Sequence, residues 1–291
     1  MGSEISPRLG VLLRLWAGHT FRASYNRAFR APTVTENFAE LPSAQVITVP
    51  TPPFTLSGNQ ELDAERLDAF EVAWIGDLGR RTRLSVALYR NDLEGYIRVV
   101  PSGFYSSADP PPGWPLDPGL LDVPPPGGCA GIPSAFEYEN IGGLVNRGVE
   151  VAFDLVPAAE WTLGLSYSWQ DDPEVDDLPP LPLPNGSARV PVNMPPRHRL
   201  NANMSWDGKR FYVNGSVSYQ DEAFWTDVLG PAFWGPTEQF VVVTVGTGFR
   251  VDGDRVVVHL DAQNLLDADV QQHVWGDVLG RKVTTGVRFR F

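Results

Sequence analysis

The feature that most limits how this chain can fold is an alternation of apolar and polar residues with period two, the repeat of a strand with one greasy face. At the end of the chain Val283, Thr285, Val287, Phe289 and Phe291 share one face. Lys282, Thr284, Gly286, Arg288 and Arg290 share the other. The same split sets Trp161, Leu163, Leu165, Tyr167 and Trp169 against Thr162, Gly164, Ser166 and Ser168, and Leu200, Ala202, Met204 and Trp206 against Arg199, Asn201, Asn203 and Ser205. Val241, Val243, Val245 and Phe249 alternate with Val242, Thr244, Gly246, Gly248 and Arg250. Continued along the chain, the pattern predicts about eleven strands, near 7–16, 19–29, 64–75, 82–92, 146–156, 160–170, 197–207, 209–221, 238–251, 254–264 and 280–291. Most are roughly 9–12 residues long, where a tilted membrane-crossing strand needs about 9–11 and a soluble strand averages about 5–6.

Alternation alone also suits a soluble sandwich. Three features favour the bilayer. Short turns at 16–19, 157–160, 207–209 and 252–254 alternate with long loops near 30–63, 93–145, 170–196, 222–237 and 265–279. An up-and-down meander with one tight rim and one long-loop rim produces that rhythm. Trp74, Trp161, Trp206, Phe211 and Phe249 hold the apolar parity near the short-turn rim, and Tyr167, Trp169 and Tyr219 hold it near the other, as two membrane interfaces select. The chain also stops on an apolar-face aromatic, Phe291, like the C-terminal signal read by barrel-assembly machinery. The expected fold is therefore all-β: an antiparallel up-and-down transmembrane β-barrel segment that is incomplete. An open sheet in lipid leaves two unsatisfied edges, and bacterial barrels have even strand numbers.

Composition removes other classes. A formal net charge of −12 speaks against a nucleic-acid partner, which needs clustered Lys and Arg. One cysteine, Cys129, allows neither an internal disulfide nor a thiolate metal cage. No run of 18 apolar residues exists for a membrane helix, and Met1 to Pro7 has no export signal, so the expectation is that the 291 residues are less than the whole precursor.

Several blocks resemble those of TonB-dependent receptors. Phe21-Arg22-Ala23-Ser24-Tyr25 leads into Phe29-Arg30-Ala31-Pro32-Thr33, similar to a RASY-x-x-x-FRAPT block. Asn59 to Trp74, with Leu62, Glu65 and Glu71, is similar to the N-x-x-L-x-x-E…E strand that follows it. Asn140-Ile141-Gly142 and Gly148-Val149-Glu150 resemble an N-x-G…G-x-E block, and Pro195-Pro196-Arg197-His198 resembles P-x-H. Asn264-Leu265-Leu266-Asp267, Gly280-Arg281 and Phe291 resemble an NLFD…GR…F ending. The resemblance implies a plug domain, a TonB box and about 22 strands in a complete member. It places residues 1–291 as the C-terminal portion, beginning at strand twelve, with the plug absent. It implies as partners outer-membrane lipid, barrel-assembly machinery acting through Phe291, the missing plug and N-terminal strands, TonB through these, and a scarce imported ligand such as a siderophore or cobalamin. It implies no cofactor, and location in the bacterial outer membrane.

The polar parity carries Arg14, Arg22, Arg83, Glu150, Asp154, Arg197, Arg199, Arg288 and Arg290. These either grip a plug or guide an anionic ligand, or form a hydrated wall of paired charges. Phe224, Trp225, Phe233 and Trp234 cluster in an outer loop, where they either stack on a ligand or fold against a neighbour. The run from Asp171 to Asp177 could offer oxygen ligands to Ca²⁺ but lacks a calcium loop's glycine spacing, and reads as a solvated acidic loop. With no His-Glu-x-x-His and no Gly-x-Ser-x-Gly, no catalytic or metal site is expected. The other readings left open are a stand-alone porin or adhesin barrel and a soluble β-rich binding domain.

Overall fold

A computed structural model describes residues 4–42, 52–124, 127–176, 181–182, 187–190, 192–226, 234–253 and 255–290. Eleven long strands follow one another: β1 (Arg8–Trp16), β2 (His19–Arg30), β3 (Glu65–Asp77), β4 (Thr82–Phe104), β5 (Pro133–Leu155), β6 (Trp161–Gln170), β7 (His198–Asp207), β8 (Phe211–Gln220), β9 (Phe240–Asp252), β10 (Val256–Gln263) and β11 (Lys282–Phe289). Each pairs with the next in chain order, so the sheet is a meander. Among the described residues β1 and β11 are its two ends and do not pair with each other. The expected all-β meander, left open, is what forms.

The register turns the sequence alternation into two faces. Across β5 to β9, Phe153, Leu165, Ala202, Val217 and Val243 lie in one row, and Ala152, Ser166, Asn201, Ser218 and Val242 in the row beside it. The first row type is apolar and the second mostly polar. Among the described residues no second layer covers the apolar face: Leu165, Met204, Val217, Val258, Leu260, Val283 and Val287 are all at least 38% exposed. A sandwich core would bury these side chains. So large a contiguous apolar surface marks contact with another apolar phase.

Aromatic pairs sit at the ends of this face. Near the short turns Trp161 meets Trp206 at 6.2 Å, Phe211 meets Phe249 at 4.8 Å, and His19 lies between Trp16 and Trp74 at 5.0 and 5.7 Å. At the other end of β6 and β7 the Tyr167 hydroxyl is 2.8 Å from His198 Nδ1.

The chain divides into two compact units. A wall unit comprises residues 7–26, 68–92 and 145–291, and a loop unit residues 27–67 and 93–144 with the N-terminal six. The loop unit departs from the sequence expectation. Residues 93–145 are not one long loop, because β4 runs on to Phe104 and β5 begins at Pro133. The Tyr105 amide donates to the Ile132 carbonyl at 3.0 Å, continuing the hairpin. Gly95 (φ +67°) and Gly142 (φ +44°) break the alternation here, as residues in the left-handed region do at bulges. The 30–63 loop holds a five-residue helix, α1 (Val34–Phe38), and two three-residue strands, Glu40–Pro42 and Thr55–Ser57.

Candidate functional site

On the wall unit the polar face gathers three of the expected charges. Arg22 on β2 and Glu150 on β5 line a cavity of about 380 Å³ together with Arg199 on β7, and Ser85, Ser166, Ser168 and Asn201 complete its polar lining. Glu150 and Arg199 both face Ser168 across the ladder, from opposite sides, so they stand two strand spacings, roughly 10 Å, apart. Arg22 pairs with Glu71, a partner the charge pattern did not single out. Serine and asparagine side chains share the lining with Ala73, Ile75, Val86, Ala87, Val151 and Ala152, so the site presents both signs of charge beside an apolar surface. Nothing in it resembles a nucleophile with its base.

The other charges go elsewhere. Arg83 donates to Asp77 at 2.9 Å and shares a depression with Asp154 at the short-turn end of β3 to β5. Arg14 lies across from Thr20, and Arg288 across from the fully buried Val257. Two positions correct the strand bounds. Arg197 lies just before β7, where it makes two hydrogen bonds to Asp172, at 2.6 and 3.2 Å, and Arg290 lies just past β11, its amide donating to the Arg255 carbonyl at 2.9 Å. Of the acidic run, Asp171 and Glu174 pair with Arg147, and Asp177 lies outside the described residues. Among the described residues no group of three or more His, Cys, Asp or Glu is placed to hold a metal ion.

Of the expected aromatic cluster, Phe224 and Trp225 lie on a short strand paired with Gly235–Thr237. Trp225 donates to Thr237 Oγ1 at 3.3 Å and packs its ring 4.7 Å from His273, tying two loops together. Phe224 bridges by its backbone to Met194 and lines a cleft with Met194, Pro195 and Pro236. Trp234 is half-buried, while Phe233 and Phe291 lie outside the described residues.

The loop unit contains a network that the search for site residues missed. Arg30, at the end of β2, reaches Glu65 on β3 through Nε and Nη2 at 2.7 and 2.8 Å, and Glu36 on α1 through Nη1 at 2.9 Å. Glu65 also accepts the Ile97 amide of β4 at 2.8 Å. Glu36 closes a capping box with Thr33, whose amide it accepts at 2.6 Å. Burial pushes the Glu36 carboxyl up, but the Thr33 amide and hydroxyl and the Arg30 guanidinium together hold it below the ordinary carboxylate range. Nearby, Asn140 on β5 donates to the carbonyls of Asp63 and Gly95 at 3.0 and 2.7 Å and accepts the Asp63 amide at 2.8 Å. Arg30, Glu65 and Asn140 each stand in a family-like block, and that was the available signal.

Comparison with known proteins fits this architecture. The family model described as TonB dependent receptor-like, beta-barrel matches residues 1–265. No curated protein matches. Among solved structures, a ferric enterobactin receptor (PfeA) mutant of Pseudomonas aeruginosa is 17% identical over 97% of this chain and 39% of its own, with a TM-score of 0.64. The FrpB iron transporter of Neisseria meningitidis is 17% identical over 100% of this chain and 40% of its own, with a TM-score of 0.65. The siderophore receptor PirA of P. aeruginosa is 15% identical over 97% and 41%, with a TM-score of 0.59. At these identities the likeness concerns the fold. The chain spans about two fifths of the length of these structures.

Proposed function

Starting from the fact that this chain belongs to the TonB-dependent receptor β-barrel family, a family of outer-membrane transport receptors and not of enzymes, we propose that its eleven strands are the C-terminal portion of a ligand-importing barrel. The observation that carries the reading is the uncovered apolar face with aromatic rings at its two ends, which fits a hydrocarbon layer and its two interfaces. Both sheet ends need partners to satisfy their backbone groups in lipid. In this reading the remaining strands of the barrel supply those partners to β1 and β11.

In this reading the plug and the remaining strands complete the lumen, and Arg22, Glu150 and Arg199 grip the plug or steer an anionic cargo. The solved neighbours are named as receptors for ferric enterobactin and siderophores and as an iron transporter, so a ferric siderophore is the first cargo class to test, with cobalamin next. Specificity would lie in the outer loops and the plug. The test is expression in an iron-starved strain that lacks its own siderophore receptors, with the chain produced alone or with a plug-bearing N-terminal portion. Uptake of a labelled ferric siderophore is expected only in the second case, with the chain in the outer-membrane fraction. A chain that purifies from the soluble fraction as a monomer would remove the reading.

A further inference from the structure

We infer that Gly248 and Gly286 are seats for the rings of Tyr212 and His259, each closed by the threonine before the glycine, and that these two joints select the register of β8 with β9 and of β10 with β11. The inference concerns the last four strands of the wall unit and holds whatever the barrel transports.

Alternation leaves the register open. A slip of one residue turns every side chain to the other face, but a slip of two keeps each on its own. On the apolar face a slip of two exchanges one aliphatic residue for another, since Val241, Val243 and Val245 follow one another on β9, and Val256, Val258 and Leu260 on β10. Register still matters, because the summed stagger of the strands fixes the tilt and bore of a closed barrel. The choice therefore falls to side chains that are not interchangeable.

Such side chains stand in one row of the polar face, Tyr212, Gly248, His259 and Gly286, where large and absent side chains alternate. A Cβ on Gly248 would come within 2.3 Å of two carbons of the Tyr212 ring, and one on Gly286 within 2.7 Å of His259 Cε1. Each ring thus occupies the space that a side chain would need on the following strand. Arg250, held on Asp207 and on the Gly208 carbonyl at 2.6 Å each, lies over the Tyr212 ring at 5.3 Å. The two joints share a further part. The Thr247 hydroxyl donates to the Tyr212 carbonyl at 3.0 Å, and the Thr285 hydroxyl to the His259 carbonyl at 2.9 Å. Thr247 and Thr285 are polar residues on the apolar parity, and these bonds account for both.

A slip of two breaks each joint. β11 has a single glycine, so His259 would face Thr284 or Arg288. On β9 Tyr212 would face Arg250 or Gly246. Gly246 follows Val245 rather than a threonine, and the Asp261 carboxylate already covers it, 2.5 Å from where a Cβ would be.

Copper-catalysed disulfide formation in the folded full chain, in a Cys129→Ser background, reads the register. Val258→Cys with Val287→Cys reports the observed pairing. Val258→Cys with Phe289→Cys, and Val256→Cys with Val287→Cys, report slips of two in either direction. Gly286→Val is expected to lower the native cross-link at least about tenfold, as overpacking does, and to raise one of the slipped ones. Adding His259→Ala is expected to restore the native cross-link, because the seat is then empty. Thr285→Val, which parity alone would favour, is expected to lower it about threefold through the lost hydrogen bond, and Thr285→Ser to leave it unchanged. Thr284→Val, the same change on the other face, is expected to have no effect. A Gly286→Val chain that folds only together with His259→Ala would equally uphold the joint. Unchanged native cross-linking in Gly286→Val, no recovery with His259→Ala, or failure of both to fold would each overturn it.

Discussion

The wall unit and the loop unit are built from the same strands on different principles. In the wall, residues at every second position repeat one message, and no single side chain carries the structure. Val217 sits between Ala202 and Val243, and Leu165 between Phe153 and Ala202, each apolar and each replaceable by another apolar residue. In the loop unit, few apolar side chains are buried and particular polar groups do the holding: Arg30 between two carboxylates, and Asn140 between Asp63 and Gly95. The wall is therefore expected to tolerate substitutions that keep its parity and reject those that break it. The loop unit is expected to respond to single polar atoms and to acid.

The largest contrast is expected in the wall. Val243→Arg places a charge on the apolar face and should cost about 2–4 kcal/mol near the bilayer midplane. Thr244→Arg, one residue on and on the polar face beside Ser216, should cost far less. Unfolding titrations in liposomes measure the pair, and equal losses would erase the distinction between faces. Next comes Gly58→Ala in the loop unit. Its new methyl would meet the backbone of Phe38 and Ala39, and an overpacked site of this kind costs about 1–3 kcal/mol. Proteolysis should then begin in 34–42 while the wall's transition stays in place; a wall that loosens as well would show that the two units are not held independently.

Acid gives a smaller effect with a definite sign. Because Glu36 is held below its ordinary value, its contribution is fully present above the unfolded carboxylate range and is lost as pH falls through the folded value. Exchange at 36–41, corrected for the intrinsic rate, should therefore rise on acidification below about pH 4.5. In Arg30→Gln the trend should reverse, because protonating one of two facing carboxylates relieves their repulsion. Parallel pH profiles in the two proteins would contradict the assignment of Arg30 as the shared partner. The smallest effect is expected for Arg22→Gln, whose pair with Glu71 is half exposed: about 0–1 kcal/mol in stability. Its effect, if the polar face receives a plug, should show in plug retention.

What could be read from the sequence follows the same division. From β6 to β11 the parity of the strands was visible, since Leu163, Met204 and Val245 and most of their neighbours repeat at two residues, despite Thr247 and Thr285 on the apolar side and Val242 and Val257 on the polar side. The extensions of β4 and β5 were hidden by Gly95, Pro101 and Gly142, which interrupt the alternation although the two strands stay paired. Parity also placed Arg22, Glu150 and Arg199 on one face, but their meeting at one cavity depends on register, which alternation does not reveal. The Arg30 network was legible only as scattered family-like blocks, because Arg30 and Glu65 are 35 residues apart and are joined by the close of a loop rather than by any local repeat.

The direct test of the central claim is a lipid-confined photoreactive label applied to the protein in native outer membranes, with modified residues mapped by mass spectrometry. Leu163, Val243 and Val258 are expected to carry the label, and their neighbours Ser166, Thr244 and His259 to remain clean. Labelling of both sets alike, or of neither, would contradict a sheet whose apolar face meets hydrocarbon.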